Sequence, residues 1–157
     1  MKSSAEELQV RPATELDSAM IFAWRNDPVT RAVSVATEEI TWDDHQKWFA
    51  IVLADPDRHL LLAQLAEQRM GVVRFDRVSD QTWEISLNLA PETRGRGRGV
   101  ASIKAGHRWL LNNEKRAQII AKVRASNEVS LRAFGKAGYT EESRFDDWVQ
   151  LVWRHEK

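Results

Sequence analysis

The segment Trp83–Gly99, WEISLNLAPETRGRGRG, restricts this chain more than any other. Apolar and polar residues alternate from Trp83 to Leu89 as in a strand, and a helical pattern begins just past Gly99. Between them, Gly95, Gly97 and Gly99 lack a Cβ, so the backbone turns sharply and its N–H groups come close to a ligand. Arg94, Arg96 and Arg98 offer guanidinium donors, and the helix start adds free amides and the positive end of its dipole. A strand, a turn and a helix arranged this way suit an anion, a diphosphate above all. No Gly-Lys-Ser/Thr and no G-x-G-x-x-G occurs at the required spacing, so neither familiar nucleotide loop applies. An RG-rich nucleic-acid tail lacks such patterned neighbours, and no nucleic-acid partner is expected. A tight turn carrying surface arginines is the alternative on these residues alone.

Around this segment the chain reads as β-α-α-β-β-β-α-β-α-β, an α+β domain over residues 1–157 without linker or repeat. Residues 9–11 form a short strand. Thr14 with Asp17 opens a first helix to Asn26, with Leu16, Met20 and Ala23 on one face. Asp27-Pro28 stops it. Thr41 with Asp44 opens a second helix whose Trp42, Trp48, Phe49 and Val52 recur at helical spacing. Runs 59–66, 70–78 and 82–89 make an antiparallel meander. A helix to Asn112 or Asn113, a buried strand 117–123, a short helix 127–136 stopped by Gly138 and a final strand 145–153 complete the order.

The chain's 157 residues suffice for one core, and 23 basic against 23 acidic side chains leave no net charge. Zero cysteines exclude disulfides, thiolate nucleophiles and Cys-ligated metals. Histidines 45, 59, 107 and 155 show no ligand spacing, so no metal is expected. A polar start and the lack of a long apolar run point to a cytoplasmic protein without membrane contact. Residues 1–60 nevertheless carry 6 basic and 11 acidic groups, against 11 and 3 in residues 91–136. That split suggests an anionic ligand on the later half and a cationic group accepted by the earlier one.

Arg94, Gly97 and Gly99 match the [Q/R]-x-x-G-x-[G/A] signature of the GNAT superfamily of acetyl-CoA-dependent N-acetyltransferases, and the chain resembles that family. Arg96, Gly99 and Ala101 match in a second register; the first keeps Pro91-Glu92 at the usual distance, while placing Arg98 where the family is apolar. Asn127, Ser130, Phe134, Lys136, Gly138 and Tyr139 are similar to the family's N-x-x-[SA]-x-x-x-[YF]-x-K-x-G-[FY]. The resemblance spans residues 9–153. It implies a mixed, mostly antiparallel sheet flanked by helices, a V-shaped splay between strands four and five, and acetyl-CoA as co-substrate. Arg94, Gly95, Arg96, Gly97, Arg98 and Gly99 would then hold the diphosphate, and Asn127, Ser130 and Phe134 would lie near the pantetheine arm. Backbone N–H around Leu89 and Ala90 would meet the thioester oxygen. The family's tyrosine that protonates the departing thiolate is Phe134 here, which leaves that role vacant.

For the base, Glu84 is favoured as a carboxylate on the strand leading into the loop, with His45 as runner-up. An exposed strand glutamate, or one paired with Arg74, is the plain reading of Glu84. Trp24-Arg25-Asn26 and His45-x-x-Trp48-Phe49 look like segments of acetyltransferases acting on nucleotide-linked amino sugars, such as the pseudaminic acid pathway enzyme. That resemblance implies Trp24, Arg25, Asn26, His45 and Trp48 as acceptor contacts, with a small-molecule amine as partner and a monomer or homodimer. Acetylation of a protein N-terminus or small amine, and a non-catalytic acyl-CoA-binding module, are the alternatives.

Overall fold

A computed structural model of the chain describes residues 7–34, 37–94, 97–114 and 117–154. Gly95 and Arg96 lie outside the described residues. In chain order the elements are β1 (Leu8–Pro12), α1 (Ser18–Arg25), α2 (Pro28–Ala32), α3 (Trp42–Ala54), β2 (Arg58–Leu65), β3 (Gln68–Ser79), β4 (Thr82–Leu89), α4 (Arg98–Asn113), β5 (Gln118–Arg124), α5 (Glu128–Lys136), β6 (Thr140–Phe145) and β7 (Trp148–Trp153). Short 3-10 turns at Glu15–Asp17 and Pro91–Thr93 precede α1 and follow β4. The strands form one sheet in the order β1-β2-β3-β4-β5-β7-β6. Every pairing is antiparallel except β4 with β5. The architecture is therefore mixed α+β, with helices on both faces of a mostly antiparallel sheet.

Strand alternation sorts the two faces. Val73 and Phe75 of β3, Trp83 and Ile85 of β4, and Ile119, Ala121 and Val123 of β5 pack in one core with Ile103 and Leu110 of α4. Leu60, Leu62 and Val72 point the other way and pack on Ile21 and Trp24 of α1 and Phe49 and Val52 of α3. Each buried Val, Leu, Ile or Phe among them is worth about 1.5–3 kcal/mol relative to exposure. His107 of α4 and Tyr139 share a buried 2.6 Å hydrogen bond. Burial pulls His107 down to about 4 and pushes the Tyr139 phenol up, so both are neutral and serve packing.

Several expectations change. The Thr14/Asp17 pattern is real, with the Thr14 amide donating to Asp17 Oδ2 at 2.9 Å, yet it caps a 3-10 turn before α1. Leu16, Met20 and Ala23 do share a face, and that face is exposed; the inward residues are Asp17, Ser18, Ile21 and Trp24. Asp27 does end α1, but its side chain accepts from the Thr30 amide and starts α2 with Pro28 in the first turn, where no N–H is missed. The single final strand is a hairpin: Asp146, at φ 53, turns the chain between β6 and β7. Every residue of β6 is exposed, so this edge strand carries no burial alternation to read.

Gly71 is where β3 and β4 come closest. A Cβ there would stand 2.6 Å from the Asn88 carbonyl oxygen and 2.9 Å from Leu89 Cα, both main-chain atoms without freedom to yield. Gly71→Ala is expected to destabilise the fold by about 1–3 kcal/mol, read as a lowered midpoint in denaturant. An unchanged midpoint would mean the strands can part at no cost.

Candidate active site

Parallel pairing between β4 and β5 lasts three rungs, Thr82 with Gln118, Trp83 with Ile119 and Glu84 with Ile120. Beyond Glu84 the strands part. The Ala90 amide donates to the Met70 carbonyl at 2.8 Å, which makes this a hydrogen-bonded pair of the β3/β4 ladder. Counting back by two, Asn88, Ser86 and Glu84 face their N–H and C=O groups to β3, while Leu87 and Leu89 turn theirs toward the opening. Leu89 therefore stands where an acyl oxygen could be bound. Ala90 does not, because its N–H is spent on Met70.

Glu84, Ser86 and Asn88 lie opposite Asp76, Arg74 and Val72, and so share the sheet face covered by α1 and α3. The Glu84 carboxylate stands at the point of parting, 3.8 Å from Lys122 Nζ of β5 and one quarter exposed. Arg74 is not its partner: Arg74 pairs with Asp76 at 3.1 Å, and Asp76 also holds Arg58 at 3.0 Å.

Over this face stands a cluster built by α1 and α3. The Arg25 guanidinium lies 3.9 Å from the centre of the Trp48 ring, and Arg74 lies 5.8 Å from the same ring. Arg25 Nη1 bonds His45 Nδ1 at 3.0 Å. A guanidinium only donates, so Nδ1 is the bare nitrogen and Nε2 carries the proton, which meets the Ser18 carbonyl at 3.0 Å. Burial and the Arg25 charge both push His45 down, and the ring is fully buried. In this arrangement the Nδ1 lone pair of His45 is turned to Arg25 and the ring has no open surface. It is a packing hub ringed by Phe22, Trp42, Trp48 and Phe49.

Arg25 has no carboxylate partner among the described residues. Burial, and then the Arg74 charge, pull its guanidinium down to about 10. A desolvated cation facing a second cation is costly until an anion arrives. The acidic residues that gave the first 60 residues their negative sum lie mostly outside: Glu15, Glu38, Glu39, Asp43, Asp44 and Asp57 are exposed. Net charge along a sequence does not say which way each side chain points, and the charged groups gathered around Trp48 on this half are Arg25 and Arg74.

Past β4 the described residues resume at Gly97, on the helix side of the expected cradle. Gly97 caps α4 at φ 72, a conformation that L side chains rarely adopt, and a Cβ there would meet nothing within 4 Å. Gly99 lies between Leu87 and Leu89 of β4 and Ala133 of α5, at 3.5–3.8 Å for a Cβ. Arg98 Nε and Ser102 Oγ are buried without a partner among the described residues in the first turns of α4. Free main-chain donors, open space and unsatisfied polar atoms fit a diphosphate with its arm along β4. Arg94 departs from expectation. Its Nη2 bonds Asp27 at 2.9 Å, Thr30 Oγ1 at 2.7 Å and the Leu89 carbonyl at 3.4 Å, which ties the turn to α2.

Other residues also have structural duties. Asn127 Oδ1 accepts from the Ser130 amide at 3.3 Å and caps α5. Phe134 is 3% exposed with its ring edge-on to Tyr139, and it packs in the core. Trp24 is 5% exposed and packs in the core beneath α1 and α3. Asn26 spends both ends of its amide on Ile40, at 2.7 and 2.8 Å, holding the segment before α3. Arg25 and Trp48 remain open to a ligand; Arg74 and Lys122 join them, which sequence reasoning had not placed there. Arg74 sits in an apolar run as an internal cation, the one signal that could have exposed it.

A splayed parallel pair inside an antiparallel sheet, running on toward a long helix, is the architecture that the resemblance to the class of acetyl-CoA-dependent N-acetyltransferases implies. Residues 7–140 match the acetyltransferase (GNAT) domain family, and the chain belongs to it. Acetyl-CoA is the co-substrate of that class, and no cluster of His, Asp or Glu among the described residues could hold a metal ion. The uncharacterized protein MJ1062 of Methanocaldococcus jannaschii is 24% identical over 91% of this chain and 30% of that protein. The acetyltransferase PseH of Campylobacter jejuni is 27% identical over 57% of this chain and 59% of its own. The chain thus matches less than two thirds of the length of either. Among solved structures, spermidine N-acetyltransferase from Vibrio cholerae in complex with CoA and spermine has a TM-score of 0.86 at 16% identity, covering 94% of this chain and 95% of that one. AAC(6')-Ib in complex with ribostamycin and coenzyme A has a TM-score of 0.83 at 21% identity, covering 94% and 93%. The Campylobacter jejuni PseH structure has a TM-score of 0.74 at 15% identity, covering 95% and 99%. No helix among the described residues is long and apolar enough to cross a membrane.

Gly97→Trp is expected to lower acetyl-CoA affinity at least 100-fold by filling the space over the turn, at a local backbone cost of about 1–2 kcal/mol. Isothermal titration with acetyl-CoA checks this, and wild-type affinity in the variant would move the cradle elsewhere.

Proposed function

We propose that this chain transfers acetyl from acetyl-CoA to the primary amine of a nucleotide-linked amino sugar, by direct attack in a ternary complex. One observation carries the acceptor assignment: Arg25, stacked on Trp48 and beside Arg74, lacks a counter-charge among the described residues. A nucleotide diphosphate supplies that charge, and an indole face suits a sugar ring or base. Polyamines and aminoglycosides are cations and would meet repulsion at the same place. The similarity to PseH supports the same reading.

The reaction follows from placement. The turn at Gly97, the start of α4 and Ser102 hold the diphosphate, and the unpaired edge of β4 receives the arm. Acetyl-CoA supplies an acyl carbon made electrophilic by its thioester. The Leu89 amide, with Leu87 beside it, polarises the acyl oxygen. Glu84 takes the amine's proton through water, so the attacking nitrogen is neutral. With Phe134 buried, no tyrosine protonates the sulfur, and the leaving group departs as thiolate. Alignment of two substrates in this way is worth up to about 7–11 kcal/mol of barrier.

The test is acetyl-CoA with a UDP-linked 4-amino sugar, spermine or kanamycin, read as CoA release. The sugar nucleotide is expected to be preferred, and Arg25→Met to raise its KM roughly 10- to 100-fold at nearly constant kcat. A preference for either polycation defeats the acceptor assignment.

A further inference from the structure

Lys122 brings a primary amine of the protein itself to the opening between β4 and β5. Ile119, Ala121 and Val123 of β5 are in the core beneath α4, so alternation puts Lys122 on the opposite face, which it shares with Glu84. It stands two residues beyond the last rung with β4, where β5 is paired only with β7 through Gln150. Its Nζ lies 3.8 Å from Glu84 Oε1, and its side chain is 51% exposed. Among the described residues it is the one lysine in ion-pair contact with a carboxylate; Lys47, Lys104 and Lys136 are exposed without one.

We infer that Lys122 is an acetylation site served by the protein's own active centre when no acceptor is present. This rests on the reading that acetyl-CoA lies in the splay with Glu84 as the base. The Lys122 ammonium gives a proton to Glu84, and the neutral amine attacks the thioester carbonyl carbon. A C–N bond forms, the C–S bond breaks, and its electron pair leaves with sulfur. The amide nitrogen releases its second proton to water, and the thiolate takes up the proton held by Glu84, so the carboxylate is restored. The products are Nε-acetyl-Lys122 and CoA. The modification removes the lysine's charge, ends the ion pair with Glu84 and sets a neutral amide on the acceptor's face. An acceptor bound over Arg25 and Trp48 competes with it, so the unused enzyme is the form that marks itself.

Incubation of the full chain with acetyl-CoA alone, followed by intact mass and peptide mapping, tests this, with a thermal shift by acetyl-CoA recorded alongside. The expected result is one acetyl group on Lys122, absent in Lys122→Arg and formed roughly 100-fold more slowly in Glu84→Gln. Circular dichroism confirms that both variants fold. A thermal shift with no acetyl on Lys122 overturns the inference, and so does label spread over Lys47, Lys104 and Lys136 at a rate indifferent to Glu84→Gln. No thermal shift at all overturns the cofactor reading, and the inference falls with it.

Discussion

Glu84→Gln is expected to lower kcat for amine acetylation by roughly 10²- to 10⁴-fold, while acetyl-CoA affinity changes by no more than about twofold. Glutamine keeps the size and the hydrogen-bonding reach of glutamate but cannot accept the amine's proton. Glu84 lies at the last rung before the strands part, far along β4 from the glycine turn, so its loss leaves the diphosphate cradle intact. Saturation kinetics in both substrates separate the outcomes. A drop confined to kcat supports the base; a rise in acceptor KM alone would make Glu84 a binding residue; full activity would leave no carboxylate at the splay to do this work. His45→Gln gives the contrast. With the imidazole sealed among aromatic rings, its loss is expected to cost stability and to act on turnover only through Arg25.

The largest stability effect is expected at Asp17. Its carboxylate is fully buried, takes Arg11 Nη1 at 2.9 Å and Nη2 at 3.1 Å, accepts the Thr14 amide and lies 3.6 Å from Arg69. One side chain thus ties α1 to β1 and β3. Burial alone would push this carboxyl up, but the Arg11 hydrogen bonds, the Thr14 amide and the two positive charges outweigh it and hold it below the usual range. The folded-state pKa therefore lies under the unfolded value of about 3.9, and the stabilisation is complete above that pH. It fades as pH falls through the depressed folded value. Asp17→Asn leaves two arginines without their anion and is expected to cost about 3 kcal/mol at pH 7. That is the low end for a broken buried pair, because Arg11 and Arg69 keep roughly a third of their side chains in water. Denaturant melts of both proteins from pH 7 downward check the sign. The gap should close on acidification, and a gap that widened instead would reverse the assignment.

Much of the fold was legible because its signals are local. Thr41 announces α3 through a side-chain bond to the amide three residues on, and the meander of β2, β3 and β4 follows from short polar connectors between strand-like runs. Elements without such a signal were lost. Strand β6 has no buried face, and α2 is a five-residue turn hidden behind a proline that reads equally well as a stop. The site divides in the same way. Gly97 at positive φ and the N-terminus of α4 could be read from a few consecutive letters. Arg94 could not, because Asp27 and Thr30, which claim it, lie more than sixty residues earlier in the chain.

What the letters alone determined is the order of the elements other than α2 and β6, the glycine segment that leads into a helix, and the resemblance to the family. Only the tertiary structure decided the direction of charge: it turned most of the early acidic residues to solvent, set Arg25 on Trp48 beside Arg74, buried His45 and Trp24, and paired Glu84 with Lys122. The physical reason is range. Backbone turns and amphipathic periods act over a few residues, whereas a counter-charge, a stacking ring or a proton's destination depends on strand register and helix packing, which bring together side chains distant in sequence.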